Sequence, residues 1–172
     1  MAEAEAAGVA PPLVDLVLED PRWEAAGLEA VATSAARAAL LVVGRDPAHH
    51  ELSLLACDDA RIAGLNETFR GAAKPTNVLS WPAFEGAVPQ PGGDGPVFLG
   101  DMALAFETCA REAQAAGIPL AAHAAHLVVH GLLHLLGHDH EDDTAAEAME
   151  AIETKTLASL GIADPYSSQE RP

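Results

Sequence analysis

Between positions 130 and 140 the chain reads His-Gly-Leu-Leu-His-Leu-Leu-Gly-His-Asp-His, four histidines in eleven residues. This run constrains the fold more than any other, because it asks for a helix, a sharp stop and a return of the chain. His130 and His134 are four apart, so on a helix they share one face, with Cβ atoms roughly 5–6 Å apart. Two imidazoles at that spacing can hold one metal ion. Gly137 supplies the left-handed conformation that ends a helix. The chain can turn there and bring His140 back to the same ion, and His134-x-x-Gly137-x-x-His140 is the spacing of metzincin sites. Three neutral nitrogens with a fourth position open make a catalytic rather than a structural zinc site. A lone histidine on an apolar helix is usually a packed core residue. Several at ligand spacing around a helix-ending glycine are hard to explain by packing. His138 would share the stripe if the helix ran on; Gly137 argues that it does not, which leaves His138 as a neighbour of the site. Zinc peptidases carry a glutamate base directly after the first histidine. Here that position is Gly131.

Two further stretches go with this run: PTNVLSWP at 75–82 and LGDM at 99–102. Together the three resemble the YbeY family, bacterial endoribonucleases of ribosomal RNA maturation, from about Leu52 to Tyr166. The resemblance implies a zinc ion, one per chain, on His130, His134 and His140. It implies that Arg70, in LNETFRG just before PTNVLS, acts on the RNA phosphate, so that Arg70 and the metal-holding His130 are the catalytic residues. It implies work at the 3′ end of 16S ribosomal RNA and in ribosome quality control, with ribosomal proteins or an assembly GTPase as partners and no DNA. One position departs: His138 stands where the family often has an aromatic such as tyrosine.

The net charge of −17 is the awkward fact, since RNA-binding proteins are usually basic. Residues 61–84 run against the trend, with Arg61, Arg70 and Lys74 against Glu67 alone. The remaining acidity reads as a solvated surface, with weak non-specific affinity for RNA and a partner needed to deliver it. No apolar run reaches the roughly 18 residues of a membrane span. Cys57 and Cys109 form no CxxC pair, and two free thiols suit a cytoplasmic protein.

One domain is expected over 1–172, with a disordered lead at 1–12, a mobile Gly/Pro loop at 85–96 and a loose tail at 167–172. Strands are expected at 13–18, 51–57, 78–81 and 97–105. Helices are expected at 23–40, 58–69, 106–116, 120–136 and from 141 to Gly161. The interleaving predicts an α/β (α+β-like) layer structure, a mixed sheet of about four strands with about five helices, and the metal helix buried against the sheet. Thr76 and Asn77 read equally as turn chemistry or as polar groups beside the metal. Asp101 reads as a solvent-facing residue or a carboxylate near the site. His126 sits one turn before the first ligand, as a satisfied core histidine or a support for the site.

The reading that follows is a zinc-dependent, single-strand-specific endoribonuclease. Its nucleophile is either a water activated at the metal or the RNA 2′-hydroxyl. The rivals are a metalloprotease or amidase with the same cage, against which Gly131 counts, and a non-catalytic ribosome-assembly factor with a structural metal.

Overall fold

The computed structural model describes residues 12–166. The acidic lead before Pro12 and the tail after Tyr166 lie outside the described residues, so the expectations placed on them are not addressed.

Among the described residues four strands form one sheet: β1 (Val14–Leu18), β2 (His50–Cys57), β3 (Val78–Pro82) and β4 (Val97–Ala105). Their spatial order is β1-β2-β4-β3. The first three in that order are parallel and β3 is antiparallel to β4, so the sheet is mixed, as its interleaved pattern predicts. Among the described residues six α-helices accompany it: α1 (Arg22–Ala25), α2 (Leu28–Val42), α3 (Asp59–Arg70), α4 (Phe106–Ala116), α5 (Leu120–Leu135) and α6 (Asp143–Ser159).

Strand period explains how the helices divide. Alternate side chains point to opposite faces, so each central strand serves two cores. Leu52, Leu54, Ala56, Met102 and Leu104 join the main core with residues of α2, α5 and α6. Cys57, Leu79, Ala103 and Ala105 face the other way, onto Ile62 of α3. The central parallel strands are therefore apolar on both faces, which the near-continuous apolar run of β2 signals.

One expected helix is two. The stretch expected as a single helix from Trp23 to Leu40 breaks at Gly27, whose φ is +72°. A Cβ at Gly27 would meet nothing within 4 Å, so the backbone angle, not lack of space, calls for glycine. The break tips Trp23 into the core. Its indole nitrogen donates to the Cys57 carbonyl at 3.0 Å, and its ring meets Phe106 edge-on at 5.1 Å. The last helix also starts later than Glu141: the Asp142 side chain accepts from the Ala145 backbone at 2.7 Å and caps it.

The histidine helix lies close against β3 and β4. A Cβ on Gly131 would collide with the Met102 methyl group and sit 3.5 Å from Val78. Where α5 ends, Gly100 of β4 has φ +140°, and a Cβ there would collide with the Trp81 carbonyl and lie 3.0 Å from Leu135. These two glycines let helix, edge strand and central strand meet at the end where the histidines gather. The 85–96 loop contains no helix or strand, yet Val88 within it is buried. Arg45 donates to the carbonyls of Val88 and Pro89 at 2.9 and 3.2 Å.

Candidate metal centre

Helix α5 stops at Leu135, and Gly137 follows with φ +97°. The His138 amide donates to the Leu133 carbonyl at 2.9 Å, and the Gly137 amide to that of His134 at 3.0 Å. This pair of bonds is a Schellman stop. It satisfies helix-end carbonyls and swings residues 138–140 back over the last turn. One ligand-capable atom from each of His130, His134 and His140 then lies within 4.8 Å of the others. The His130 and His140 rings are stacked at 5.7 Å between centroids, and the His134 and His140 rings meet edge-on at 5.1 Å.

Hydrogen bonds fix which nitrogens point inward. The His134 Nδ1 faces the His138 carbonyl at 3.0 Å, and a carbonyl can only accept. The His130 Nδ1 faces the Glu153 carboxylate at 3.1 Å, which also accepts. Both Nδ1 atoms therefore carry the hydrogen, and in neutral rings both Nε2 atoms are lone pairs. Those two Nε2 atoms are 3.0 Å apart. Two lone pairs facing at that distance repel each other unless a cation sits between them or one ring is protonated. Protonation of His134 is opposed: burial, then the neighbouring His130 and His140, push its pKa below the ordinary histidine value. The donor set is one that fits a divalent ion of zinc's type, which takes imidazole nitrogen and tolerates three protein ligands.

Glu153 is the residue beside the cluster that sequence reasoning missed. It is 1% exposed, on the stripe of α6 that also buries Met149, Thr156 and Leu157. Burial alone would raise its pKa, but hydrogen bonds from His126, His130 and Tyr166 outweigh that and hold the carboxyl at about 2. The signal was legible: an acid four residues from buried apolar positions on either side belongs to an apolar face, where a carboxylate needs partners.

The other singled-out residues lie in varied places. His126 stands a turn before His130 and meets Glu153 through Nε2 at 2.9 Å. His138 offers the cluster its backbone carbonyl; its ring is not among the converging three. Asn77 donates to Glu112 at 2.9 Å, Glu112 also bonds His123 at 2.8 Å, and so the turn is tied to the start of α5. Thr76 is half-buried in the same turn, without a side-chain hydrogen bond among the described residues. Asp101 is exposed on β4, one residue out of phase with Met102, so it faces away from α5. Arg70 ends α3, is exposed, and donates to the Ser80 carbonyl of the edge strand at 3.0 Å. It therefore meets the edge strand β3 through a backbone carbonyl and makes no hydrogen bond to the three histidines. Of the locally positive segment, Arg61 is paired with Glu19 at 3.3 Å, which leaves Arg70 and Lys74 without a carboxylate partner among the described residues. A groove of about 540 Å³, between α2 and α6 at Arg37, Leu41, Lys155 and Ser159, holds none of the histidines.

Comparison with known proteins decides the family. The family model "Endoribonuclease YbeY" matches residues 19–161. The chain belongs to the YbeY endoribonuclease family. The match begins well before Leu52, where the motif resemblance starts, and so takes in α1 and α2. Endoribonuclease YbeY of Ruegeria pomeroyi is 53% identical over 165 residues, covering 91% of this chain and 99% of that protein. Endoribonuclease YbeY of Paracoccus denitrificans is 52% identical over 171 residues, 97% of each chain. The solution structure of TM1509 from Thermotoga maritima superposes with a TM-score of 0.55 at 19% identity, covering 92% of this chain and 96% of that one. That likeness shows the fold alone.

Proposed function

We propose that this chain is a zinc-dependent endoribonuclease that cuts single-stranded RNA during ribosomal RNA maturation, with His130, His134 and His140 as the metal ligands. The observation that carries the reading is the pair of Nε2 lone pairs 3.0 Å apart, with His140 folded over them by the Gly137 turn. A divalent ion held there supplies Lewis acidity to a phosphoryl oxygen and to water. Arg70 supplies the complementary charge. It uses one guanidinium donor on the Ser80 carbonyl, and its remaining donors can take a phosphate in the fork geometry that arginine prefers. Beside it, Phe69 is 61% exposed and backed edge-on by Trp81 at 5.4 Å. An exposed ring next to a cation suits an unpaired base stacked beside its own phosphate.

Gly131 counts against a peptidase with the same cage. The position of the peptidase base points at Met102 and Val78, where any side chain requires the Met102 methyl to move. A chain of net charge −17 repels RNA at long range, so we assign delivery of the substrate to a protein partner of the ribosome-assembly machinery. The cytoplasm is the matching compartment, and the buried free thiols Cys57 and Cys109 suit it.

The test is kinetic. Purified protein should carry about one divalent ion, and Arg70→Ala should fold, keep it and cleave single-stranded RNA at least tenfold more slowly. The loss should fall on kcat more than on KM, as for an interaction made mainly in the transition state. Arg70→Lys separates charge from geometry, since a lysine restores the charge without the fork. Peptides should be offered beside RNA. Unchanged RNA cleavage by Arg70→Ala removes the role assigned to Arg70, and peptide hydrolysis without RNA cleavage replaces the nuclease by a protease.

A further inference from the structure

The three converging histidines do not hold themselves in place; the buried carboxylate of Glu153 stands behind them. One oxygen, Oε2, accepts from His126 Nε2 at 2.9 Å and from His130 Nδ1 at 3.1 Å. The other, Oε1, accepts from the Tyr166 hydroxyl at 2.8 Å. Three donors converge on a side chain that is 1% exposed. That is an unusual setting for a glutamate with no ion pair to a lysine or arginine among the described residues. Its geometry does two things at His130. It puts the ring hydrogen on Nδ1, which leaves Nε2 as the lone pair. It also fixes the ring plane, so that Nε2 points at His134.

Tyr166 is brought in by a separate piece of chain. Past the end of α6 the backbone turns at Asp164, whose Oδ1 accepts from the Tyr166 amide at 2.8 Å and from the Thr154 hydroxyl at 3.2 Å. That turn lays the Tyr166 ring edge-on to His126 at 5.6 Å and its hydroxyl on Glu153. The carboxylate is thus clamped between α5 and the C-terminal segment.

We propose that Glu153 is a positioning residue for the metal, acting through His130, and that Tyr166, with the turn at Asp164, completes that support. Metal affinity and docking of the C-terminal segment are then linked. This rests on the reading of His130, His134 and His140 as ligands. A carboxylate behind a ligating imidazole orients it and raises its basicity, and losing such a partner costs metal sites 10–100-fold in affinity.

The experiment uses full-length protein stripped of metal and titrated with Zn²⁺ against a chromophoric chelator, and with Co²⁺ followed by its visible absorption. Glu153→Gln should raise the Kd for Zn²⁺ by about 10–100-fold and alter the Co²⁺ spectrum. Tyr166→Phe removes one hydroxyl and keeps the ring, so it folds even if Glu153→Gln does not; it should weaken Zn²⁺ by several-fold. The rise in melting temperature on adding Zn²⁺ should shrink in the same order, because ligand stabilisation follows the ratio of ligand concentration to Kd. A purely structural role would lower the melting temperature of the metal-free variants and leave both the Kd and the Co²⁺ spectrum at wild-type values, and that result overturns the proposal. Wild-type protein that binds neither ion overturns the ligand reading itself, whereas wild-type binding matched by both variants overturns only the role of Glu153 and Tyr166.

Discussion

His138 shows how a residue can serve a site without its side chain. Sequence spacing makes it a rival to His140, since it lies four residues after His134. In the structure its carbonyl accepts from His134 Nδ1, and its ring stays outside the cluster. A backbone carbonyl survives any substitution that keeps the turn. His138→Ala should therefore retain most of the bound ion, and His134→Ala should lose it, as measured by metal content after dialysis. Loss in His138→Ala with retention in His140→Ala reverses the assignment. Gly131 is the residue-scale counterpart. In sequence it is only a missing base; in the structure a side chain there has Met102 in its way.

At the scale of elements, the break between α1 and α2 is the clearest departure from the periodicity. Alanine-rich sequence on both sides of Gly27 favours one long helix, and alanine has the higher helix propensity. Burial of Trp23 against Phe106 and the Cys57 carbonyl decides otherwise. Gly27→Ala should thus lower stability, by about 1–2 kcal/mol, the cost of a left-handed non-glycine residue. Urea unfolding checks the sign. An increase in stability would mean that the helix can run through. Helix α5 has the opposite character: its capping stop at Gly137 is local, so its end is readable from the sequence. No single helix among the described residues is long and apolar enough to cross a membrane.

For the whole molecule, charge and burial give two measurable dependences. Among the described residues, Arg70 and Lys74 are the cations of the 61–84 segment without a carboxylate partner, so few phosphates can be neutralised there. With roughly −0.7 per phosphate for single strands, two contacts give a slope of about −1.4 in log affinity against log salt. Filter binding with the isolated protein should find it that shallow, and a slope of several times that value would show that RNA uses a larger basic surface than this segment. The second dependence is on pH. The Glu153 carboxyl is held at about 2, below the ordinary glutamate value of 4.5. A lowered folded pKa gives stability that is present above the unfolded value and is lost as pH falls from about 4.5 towards 2. Metal-free protein should lose melting temperature across that window, and Glu153→Gln should flatten the slope there. An equally steep slope in the variant would assign the acid sensitivity to other carboxylates.

What the sequence determined by itself is local. The spacing of His130, His134 and His140 around Gly137 defines the cluster, because helix geometry and a left-handed glycine need no distant partner. The four strands and the mixed sheet are equally legible, through the apolar runs bounded by turn residues. Tertiary structure decided whatever depends on contacts between distant segments. It chose the break at Gly27, because Trp23 is buried by Cys57 and Phe106 from elsewhere in the chain. It put Glu153 behind His130, 23 residues away, because α6 packs across α5. It turned Asp101 away from the histidines through strand register, which a one-residue shift would reverse. It set Arg70 against the edge strand β3, where a solvent-exposed helix end in the sequence gives no hint of its partner, the Ser80 carbonyl.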